Sequence, residues 1–372
     1  MKIVFLIDQI YKHGGAEKVL TEKASYFADE FDYDVTIITT EQREQKPCYS
    51  LSNNVSLIDI DVHYERTKSY FNFINIKKVM YHYNVLKKQI KEINPDFIIL
   101  LSDAFDYYFL PYISGKSKIL KEFHSSYYFN SIEKERNKPL LKQAKFFIRD
   151  YINKKYDYLV VLNNDEKRLL NVNNTVVISN GIIMNQSEFS TLENKRVISA
   201  GRIAPVKNFE ALIQSWKYVE NQYPDWKLEV YGEGDKQYLL QLQKLIKELN
   251  LSNSICICGS TNHLKEKMLK SSIYVMSSIT ECFPMVLLEA QSCGLPIVSF
   301  DCPFGPRNIL RDSQDGLLVE NQNNVKLADG IIELIKSVDM RKDMGKNAKE
   351  NIKKYKFDEV MRKWKILFES SP

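Results

Sequence analysis

The chain has 372 residues, of which 44% are hydrophobic and 27% charged, a balance typical of a folded globular protein and not of a disordered one. Its formal charge of +5 is mild and accompanies no nucleic-acid-binding motif, so we expect no nucleic-acid partner. There is no apolar run of about 18 residues and no signal peptide, which predicts a cytoplasmic protein. The six cysteines form no C-x-x-C pair, and we expect free buried thiols.

Short apolar runs alternate with helical patterns along the first half of the chain. Strands are predicted at 2–7, 35–39, 55–60, 97–101, 118–123, 158–162 and 176–178, and the clearest helices at 16–31, 76–93 and 140–155. This alternation is typical of βαβ units, which build a mostly parallel sheet. The first half therefore predicts a doubly wound α/β domain.

The second half repeats the pattern. Strands are predicted at 196–200, 228–231, 255–258, 273–276 and 297–300, each followed by a turn and usually by a helix. The polar segment 184–195 separates the two series and predicts a domain boundary. We therefore expect an α/β fold with one domain over 1–187 and a second over 188–354. The last helix, about 355–372, is expected to pack back on the first domain.

Charge is distributed unevenly over the first domain. Residues 1–64 carry a net charge of −5, whereas residues 65–155 carry +9. Aromatic and basic residues alternate on the helical segments of the second stretch (Tyr70, Phe71, Phe73, Tyr81, Tyr83, Phe146, Phe147 and Tyr151, with Lys77, Lys78, Lys87, Lys88, Lys142, Lys145, Arg149, Lys154 and Lys155). They form either an ordinary solvated face over core aromatics or a docking face for an anionic membrane surface.

Ligands of open α/β sheets bind beyond the carboxyl ends of the strands, so those loops are the places to look for chemistry. Gly14 and Gly15 precede the first helix, where backbone N–H groups can meet an oxyanion, although a simple glycine turn explains them equally well. His124 follows the strand at 118–123. It can hydrogen-bond a sugar hydroxyl or transfer a proton, or it can be a structural histidine.

Two cations follow the first strand of the second domain. Arg202 and Lys207 lie in one loop, 201–208, and can converge on a diphosphate, Arg as a fork across two oxygens and Lys as a point charge. Two charged groups of this kind can stabilise a departing nucleoside diphosphate. The alternative is two separate surface charges.

Two carboxylates flank the start of a later helix. Glu281 lies in the loop after the strand at 273–276, and Glu289 lies about two turns into the helix that we expect to begin at Pro284. The N–H groups from about Phe283 to Val286 are expected to be free for a phosphate, while the two acids favour hydroxyl groups. A sugar carried on a diphosphate satisfies both.

The ordered set of motifs resembles the retaining glycosyltransferases of the GT-B fold, family 4. It comprises Gly14 to Glu17, His124, Ser179-Asn180-Gly181, Gly201-Arg202 with Lys207, Tyr231-Gly232-Glu233-Gly234, and the spacing from Glu281 to Glu289. The resemblance runs from about residue 3 to 345. It implies two Rossmann-like domains that face each other across a cleft, with a nucleotide-sugar donor on the second and a glycan acceptor on the first.

The resemblance also implies a role for each matching residue. Arg202 and Lys207 would hold the donor diphosphate, Glu281 the hydroxyls of the transferred sugar, and Glu289 the ribose. The donor site would continue over Cys282, Phe283, Pro284 and Met285, whose backbone amides complete the anion site. His124 would contact the donor sugar near its reacting carbon. Gly14 and Gly15 would lie on the acceptor side, with Gly15 also near the diphosphate.

The resemblance predicts transfer with retention of anomeric configuration and without a protein nucleophile. We expect a hexose or N-acetylhexosamine donor, UDP-linked, and a lipid-linked acceptor in cell-surface polysaccharide assembly, with the enzyme on the inner face of the cell membrane. Two observations bear on the donor: Cys282 replaces the usual glycine, and the segment 301–307 resembles that of transferases using hexosamine or galactose-type donors.

Three alternatives stay open. An epimerase or a phosphorylase can share this fold, and a non-catalytic subunit can bind a nucleotide sugar. The pair Asp59 and Asp61 imitates the metal-binding acids of the other main glycosyltransferase fold, but it lacks their context. We therefore predict no metal requirement and no other cofactor.

Overall fold

The computed structural model describes residues 1–65, 67, 72–102, 104–126, 140–184 and 188–371, with residues 140–146 described by their backbone alone. The chain divides into two compact units. The N-terminal unit comprises Met1–Ile178 with Leu367–Pro372, and the C-terminal unit comprises Ser179–Ile366. The division after Ile178 precedes the polar segment in which we predicted the domain boundary.

The sheet of the N-terminal unit is parallel throughout the described residues. Its strands are β1 (Lys2–Ile7), β2 (Asp34–Thr39), β3 (Val55–Asp59), β4 (Phe97–Leu100), β5 (Lys118–Glu122), β6 (Tyr158–Val161) and β7 (Thr175–Val177). They lie in the order β3-β2-β1-β4-β5-β6-β7. The direction of winding reverses between β1 and β4, which is the switch point where such sheets leave a crevice for ligands.

Helices connect these strands except β2 and β3, which the loop 40–54 joins. They are α1 (Gly15–Asp29), α2 (Phe73–Ile93), α3 (Asp106–Ile113), α4 (Leu140–Asn153) and α5 (Asn164–Leu170). Side-chain caps fix two helix starts: Asn72 accepts a hydrogen bond from the N–H of Ile74, and Asn163 accepts one from that of Glu166. Central strands such as Phe97–Leu100 are apolar and buried on both faces, which is typical of a parallel sheet.

The C-terminal unit repeats this architecture. Its strands are β8 (Arg196–Ala200), β9 (Lys227–Tyr231), β10 (Ile255–Gly259), β11 (Ile273–Met276), β12 (Ile297–Phe300) and β13 (Gly316–Val319), in the order β10-β9-β8-β11-β12-β13. All described pairs are parallel, and the winding reverses between β8 and β11. The two predicted parallel-sheet domains are confirmed, and β13 is a strand that the sequence pattern did not predict.

The helices of this unit are α6 (Phe209–Gln222), α7 (Lys236–Glu248), α8 (Leu264–Leu269), α9 (Met285–Ser292), α10 (Asn324–Lys336), α11 (Val338–Asn351) and α12 (Phe357–Glu369). Its core includes the fully buried Trp216 of α6 and Phe300 of β12. Among the described helices, none combines the length and the hydropathy needed to cross a membrane.

The last helix begins in the C-terminal unit, where the N–H of Phe357 donates to the carbonyl of Ile182 at 3.1 Å. Its final turn belongs to the N-terminal unit. There the ring of Phe368 packs against Phe97, with centroids 4.7 Å apart, and against Phe27 at 5.5 Å. The aromatic residues of this helix therefore serve as core residues at its C-terminal end.

Candidate functional site

The loops after β8 and β11 meet at the switch point of the C-terminal sheet. Because the two strands are parallel neighbours, their carboxyl ends lie at the same edge, and each loop carries predicted site residues. The Nζ atom of Lys207 lies 2.5 Å from Oε1 of Glu281, and both side chains are largely shielded, at 22% and 14% exposed. The structure therefore brings together a cation and a carboxylate that are 74 residues apart in the chain.

Three hydrogen bonds hold the two loops in place. The Ser278 hydroxyl donates to Oε1 of Glu281 at 2.7 Å, so this carboxylate has a second partner besides Lys207. The Ser277 hydroxyl donates to the carbonyl of Lys207 at 3.0 Å, and the N–H of Ile279 donates to the carbonyl of Val206 at 2.9 Å. The Lys207 and Glu281 side chains are thus positioned by backbone that is itself cross-linked.

Two glycines permit the close packing around this pair. Gly232 has φ +149°, and a Cβ there would lie 1.9 Å from the carbonyl oxygen of Gly201, which begins the Lys207 loop. Gly305 follows Phe304, which bridges to Glu281, and a Cβ at Gly305 would lie 2.5 Å from the Cβ of Glu281. Both contacts are far too short for any side chain, so the loops can pack this closely only with glycine here.

Arg202 lies in the same loop as Lys207, but it is exposed and has no ion-pair partner among the described residues. Its neighbour Ile203 is held by backbone hydrogen bonds to Glu233 and Asp235, at 2.8 and 3.0 Å. The loop is therefore anchored beside a guanidinium that is available to a ligand. Because Arg202 forms no described ion pair, it can bind an anion without first breaking one.

Helix α9 starts next to Glu281. Pro284 is the N-cap and not the first helical residue as predicted, since its ψ of 102° is extended and the helix begins at Met285. Cys282 and Phe283 are buried, each 6% exposed, and Phe283 packs against Tyr355. Met285 and Glu289 are half-buried and lie four residues apart on one helix face.

Glu289 and Glu281 both influence one buried tyrosine, Tyr274. The hydroxyl of Tyr274 is fully buried and donates to the carbonyl of Ala200 at 3.0 Å. Burial raises the pKa of Tyr274, and the charges of Glu289 and then Glu281 raise it further. Both carboxylates thus act electrostatically on one buried phenol.

A second group of charged residues lies in the N-terminal unit. His124 follows β5, and its Nε2 lies 3.3 Å from Oε1 of Glu122, the last residue of that strand. Lys23 of α1 donates to both oxygens of Glu122, at 2.5 and 2.6 Å, and both partners are 1% exposed. His124 is therefore not an isolated core histidine but the outermost member of a cluster.

The glycine loop leads into α1. Gly14 is the N-cap with an extended backbone, and a Cβ on Gly15 would meet no described atom within 4 Å. The Glu17 carboxylate beside the loop accepts a hydrogen bond from Gln9 at 2.7 Å. The space around Gly15 would let a ligand approach the backbone, but the φ of Gly14 does not require glycine.

Sequence reasoning missed Asp106, at the switch point of this unit. Asp106 opens α3 after β4, is 1% exposed, and accepts hydrogen bonds from the Ser102 hydroxyl at 2.8 and 2.9 Å. Burial and then the charge of Asp8, which follows β1, raise the pKa of Asp106 to about 7. Both acids follow the two central strands, and that spacing was a signal available in the sequence. Lys23 was not predicted as a member of the cluster around Glu122, because the sequence does not show that its side chain faces the core.

The acid pair Asp59 and Asp61, which imitates a metal-binding motif, makes other contacts. Asp59 accepts hydrogen bonds from the Thr39 hydroxyl at 3.1 Å and from the N–H of Arg43 at 3.2 Å, while Asp61 pairs with His63. Within the described residues, no three His, Cys, Asp or Glu side chains come together as a metal site. The expectation of buried thiols is confirmed for Cys282, Cys293 and Cys302 but is wrong for Cys256, which is exposed, and Cys48 and Cys258 are only half-buried.

Comparison with known proteins gives the class of this chain. The family described as glycosyl transferases group 1 matches residues 183–351. An uncharacterized glycosyltransferase of Haemophilus influenzae is 27% identical over 371 residues, covering 98% of this chain and 99% of that protein. The amylovoran biosynthesis glycosyltransferase AmsD of Erwinia amylovora is 28% identical and covers 98% of both chains.

Solved structures agree on the fold. A mutant of S. aureus TarM in complex with fondaparinux, α-GlcNAc-glycerol and UDP has a TM-score of 0.78 at 18% identity, covering 99% of this chain and 100% of that one. The two parallel Rossmann-like sheets of this chain are those of the GT-B fold. The chain is a glycosyltransferase with this fold.

Proposed function

We propose that this chain is a retaining glycosyltransferase of family 4. It would transfer a hexose or N-acetylhexosamine from a UDP-linked donor to a lipid-linked glycan acceptor in cell-surface polysaccharide biosynthesis. The pairing of Lys207 with Glu281 at the switch point carries the proposal. A cation and a carboxylate side by side offer separate groups for the phosphates and for the sugar hydroxyls of one donor.

In this proposal, Arg202 and Lys207 hold the diphosphate. Arg202 is exposed and has no described ion-pair partner, so it can fork across two phosphate oxygens. The Lys207 ammonium has three N–H donors and can bind a phosphate oxygen while it stays beside Glu281. Both charges would stabilise the nucleoside diphosphate as its bond to the sugar breaks.

The surroundings of Glu281 favour a positioning role over nucleophilic attack. Its Oε1 already contacts the Lys207 ammonium and the Ser278 hydroxyl, and these two contacts fix the direction of that oxygen. A carboxylate held in this way is suited to accept hydrogen bonds from sugar hydroxyls. Glu289, four residues after Met285 on α9, would take the ribose, and the backbone from Cys282 to Met285 would complete the anion site.

The N-terminal unit would bind the acceptor. Gly15 leaves the backbone at the start of α1 accessible, whereas the Glu17 carboxylate lies against Gly14. His124 would contact the donor sugar near its reacting carbon. Retention without a protein nucleophile would follow a front-face route, in which the acceptor oxygen bonds to the anomeric carbon on the side from which the diphosphate leaves. The acceptor proton passes to the departing phosphate oxygen, so no protein nucleophile is needed.

The choice of donor rests on TarM and on two sequence features, and the choice of pathway rests on AmsD. TarM was solved with UDP and α-GlcNAc-glycerol, which supports a UDP-linked N-acetylhexosamine here. AmsD is named for amylovoran biosynthesis, and that name supports the role in polysaccharide biosynthesis proposed for this chain. Cys282 and the segment 301–307, which bridges to Glu281 through Phe304, would shape the sugar pocket.

A basic and aromatic face on the N-terminal unit supports membrane contact. Phe73 and Met80 of α2 are 69% and 61% exposed, and Phe147 of α4 is 75% exposed. The Lys77 ammonium lies 4.5 Å from the centre of the Phe73 ring, and Lys155 lies 4.9 Å from that of Tyr151. Exposed rings flanked by lysines suit an anionic lipid surface. Tyr70, Phe71 and the side chains of Lys142, Lys145 and Phe146 lie outside the described residues.

Vesicle sedimentation tests the membrane contact. The chain is expected to sediment with anionic vesicles at low salt, and Phe73→Ser/Phe147→Ser should reduce that recovery about tenfold or more, because each exposed ring adds apolar burial. Leu240→Ser is the matched control, since Leu240 is 63% exposed in the other unit. Equal recovery with anionic and neutral vesicles would remove the membrane from the proposal.

Donor binding and product analysis test the function itself. Nucleotide sugars are screened by thermal shift, because a ligand that binds the folded state raises its apparent stability. The donor found is then incubated with lipid-linked glycans. A lengthened glycan with released UDP is expected. A free epimer or a sugar phosphate would indicate the epimerase or phosphorylase alternative, and binding without turnover would indicate a non-catalytic subunit.

A further inference from the structure

Glu122 and His124 project from the same side of the end of β5. Side chains two residues apart share one face of an extended chain, so the histidine ring comes to lie against the carboxylate, with Nε2 3.3 Å from Oε1. The histidine side chain is 12% exposed, whereas Glu122 is 1% exposed. The buried carboxylate therefore contacts the inner edge of the ring, and the opposite edge points away from it.

Lys23 makes this arrangement possible. Its ammonium donates to both oxygens of Glu122 and comes from α1, the helix that starts at the glycine loop. Although burial alone would raise it, the Lys23 ammonium and then the His124 ring lower the pKa of Glu122 to about 2. A buried ion pair of this kind seldom adds net stability compared with an apolar pair. Its distinctive effect is to keep an anion next to His124.

We propose that Glu122, held by Lys23, is a positioning residue that fixes the His124 ring with its proton on Nε2, so that Nδ1 presents a hydrogen-bond acceptor to a hydroxyl of the donor sugar. In a neutral imidazole one nitrogen donates and the other accepts, and the partner of the first decides the role of the second. At 3.3 Å, Nε2 lies within hydrogen-bond distance of Oε1 of Glu122, and a rotation of the ring would form the bond that its present orientation does not make. The inference rests on the proposed function, which places His124 at the donor sugar.

Two charge-balanced pairs of substitutions test it. Lys23→Met/Glu122→Gln removes both charges but keeps an oxygen that can accept from Nε2, whereas Lys23→Met/Glu122→Leu removes the acceptor. We expect the Gln pair to keep kcat/KM within about threefold of the wild type and the Leu pair to lose about tenfold, the effect of one hydrogen bond. Thermal unfolding checks that both fold, and Lys23→Met/Glu122→Met replaces the Leu pair if that variant does not.

The same pairs in a His124→Ala background complete the test. If Glu122 acts through His124, the difference between the Gln and Leu pairs disappears there. A difference that persists, or a Gln pair as slow as the Leu pair, overturns the inference and leaves the proposed function standing. Unchanged kcat/KM in His124→Ala alone contradicts instead the place of His124 in the proposed function. Lys195→Met/Asp225→Leu, at an exposed ion pair in the other unit, is the control for removing two charges.

Discussion

Arg202→Ala separates the function of a residue from its contribution to stability. Arg202 is exposed, follows β8, and has no ion-pair partner among the residues that the structure describes. Its loop is held by backbone hydrogen bonds of Ile203 and not by the guanidinium. Removing the side chain should therefore change the free energy of unfolding by no more than about 0.5 kcal/mol, as for other exposed positions.

The effect on catalysis should be much larger. A hydrogen bond to a charged group contributes about 1.5–3 kcal/mol. Each 1.36 kcal/mol of lost transition-state stabilisation slows the reaction about tenfold, so Arg202→Ala should lower kcat/KM roughly 10- to 150-fold. Removing Lys207 as well should bring the loss to a hundredfold or more, although Lys207→Ala also leaves Glu281 with only its Ser278 contact among those shown.

The assay follows release of the nucleoside diphosphate with the donor that gives the largest thermal shift. Chemical unfolding of the same preparations measures stability. Arg168→Ala is the control, because Arg168 is also a surface arginine, 80% exposed, in the N-terminal unit. Wild-type kcat/KM in Arg202→Ala/Lys207→Ala would refute the assignment of the diphosphate site. An equal loss of activity and of folded protein would show that the substitutions act by destabilising the fold.

Three further predictions concern packing, metal and pH. Gly305→Ala should weaken donor binding about tenfold by displacing Glu281, because the added Cβ would meet that of Glu281 at 2.5 Å; wild-type donor affinity would contradict this. Chelation should leave the rate unchanged, whereas activity abolished by a chelator and restored by manganese would show a metal requirement. Burial lowers the pKa of His82 to about 4. Because the unfolded chain then binds a proton that the folded chain does not, stability should fall from about pH 6.5 to 4, and less so in His82→Gln; equal slopes would exclude His82.

Periodicity was sufficient to predict most of the fold. Strands Lys2–Ile7, Arg196–Ala200, Ile273–Met276 and Ile297–Phe300 have the predicted bounds, because buried parallel strands are continuous apolar runs between polar turns. The strand Gly316–Val319 was missed, since it opens on a glycine. Its parallel pairing with β12 defines it, and such long-range pairing is not a local property of the sequence.

The sequence predicted which loops carry the site residues but not which of their side chains contact each other. That Lys207 and Glu281 lie in the loops of adjacent strands followed from the βαβ pattern, but their 2.5 Å contact depends on strand order and on two close-packed glycines. The roles of Lys23 and Glu122 could not be predicted, because a charged residue on a helix or at a strand end is expected to lie at the surface until its buried partner is known. Pairing across 99 residues has no local signature.

The configuration of the product tests the central claim most directly. The UDP-linked donor identified by thermal shift is incubated with acceptor, and the anomeric configuration of the new linkage is read by proton NMR, with UDP measured in parallel. We predict one UDP released for each sugar transferred and a linkage with the same anomeric configuration as the donor. A linkage of inverted configuration, or a sugar phosphate in place of a glycoside, would contradict the assignment as a retaining glycosyltransferase.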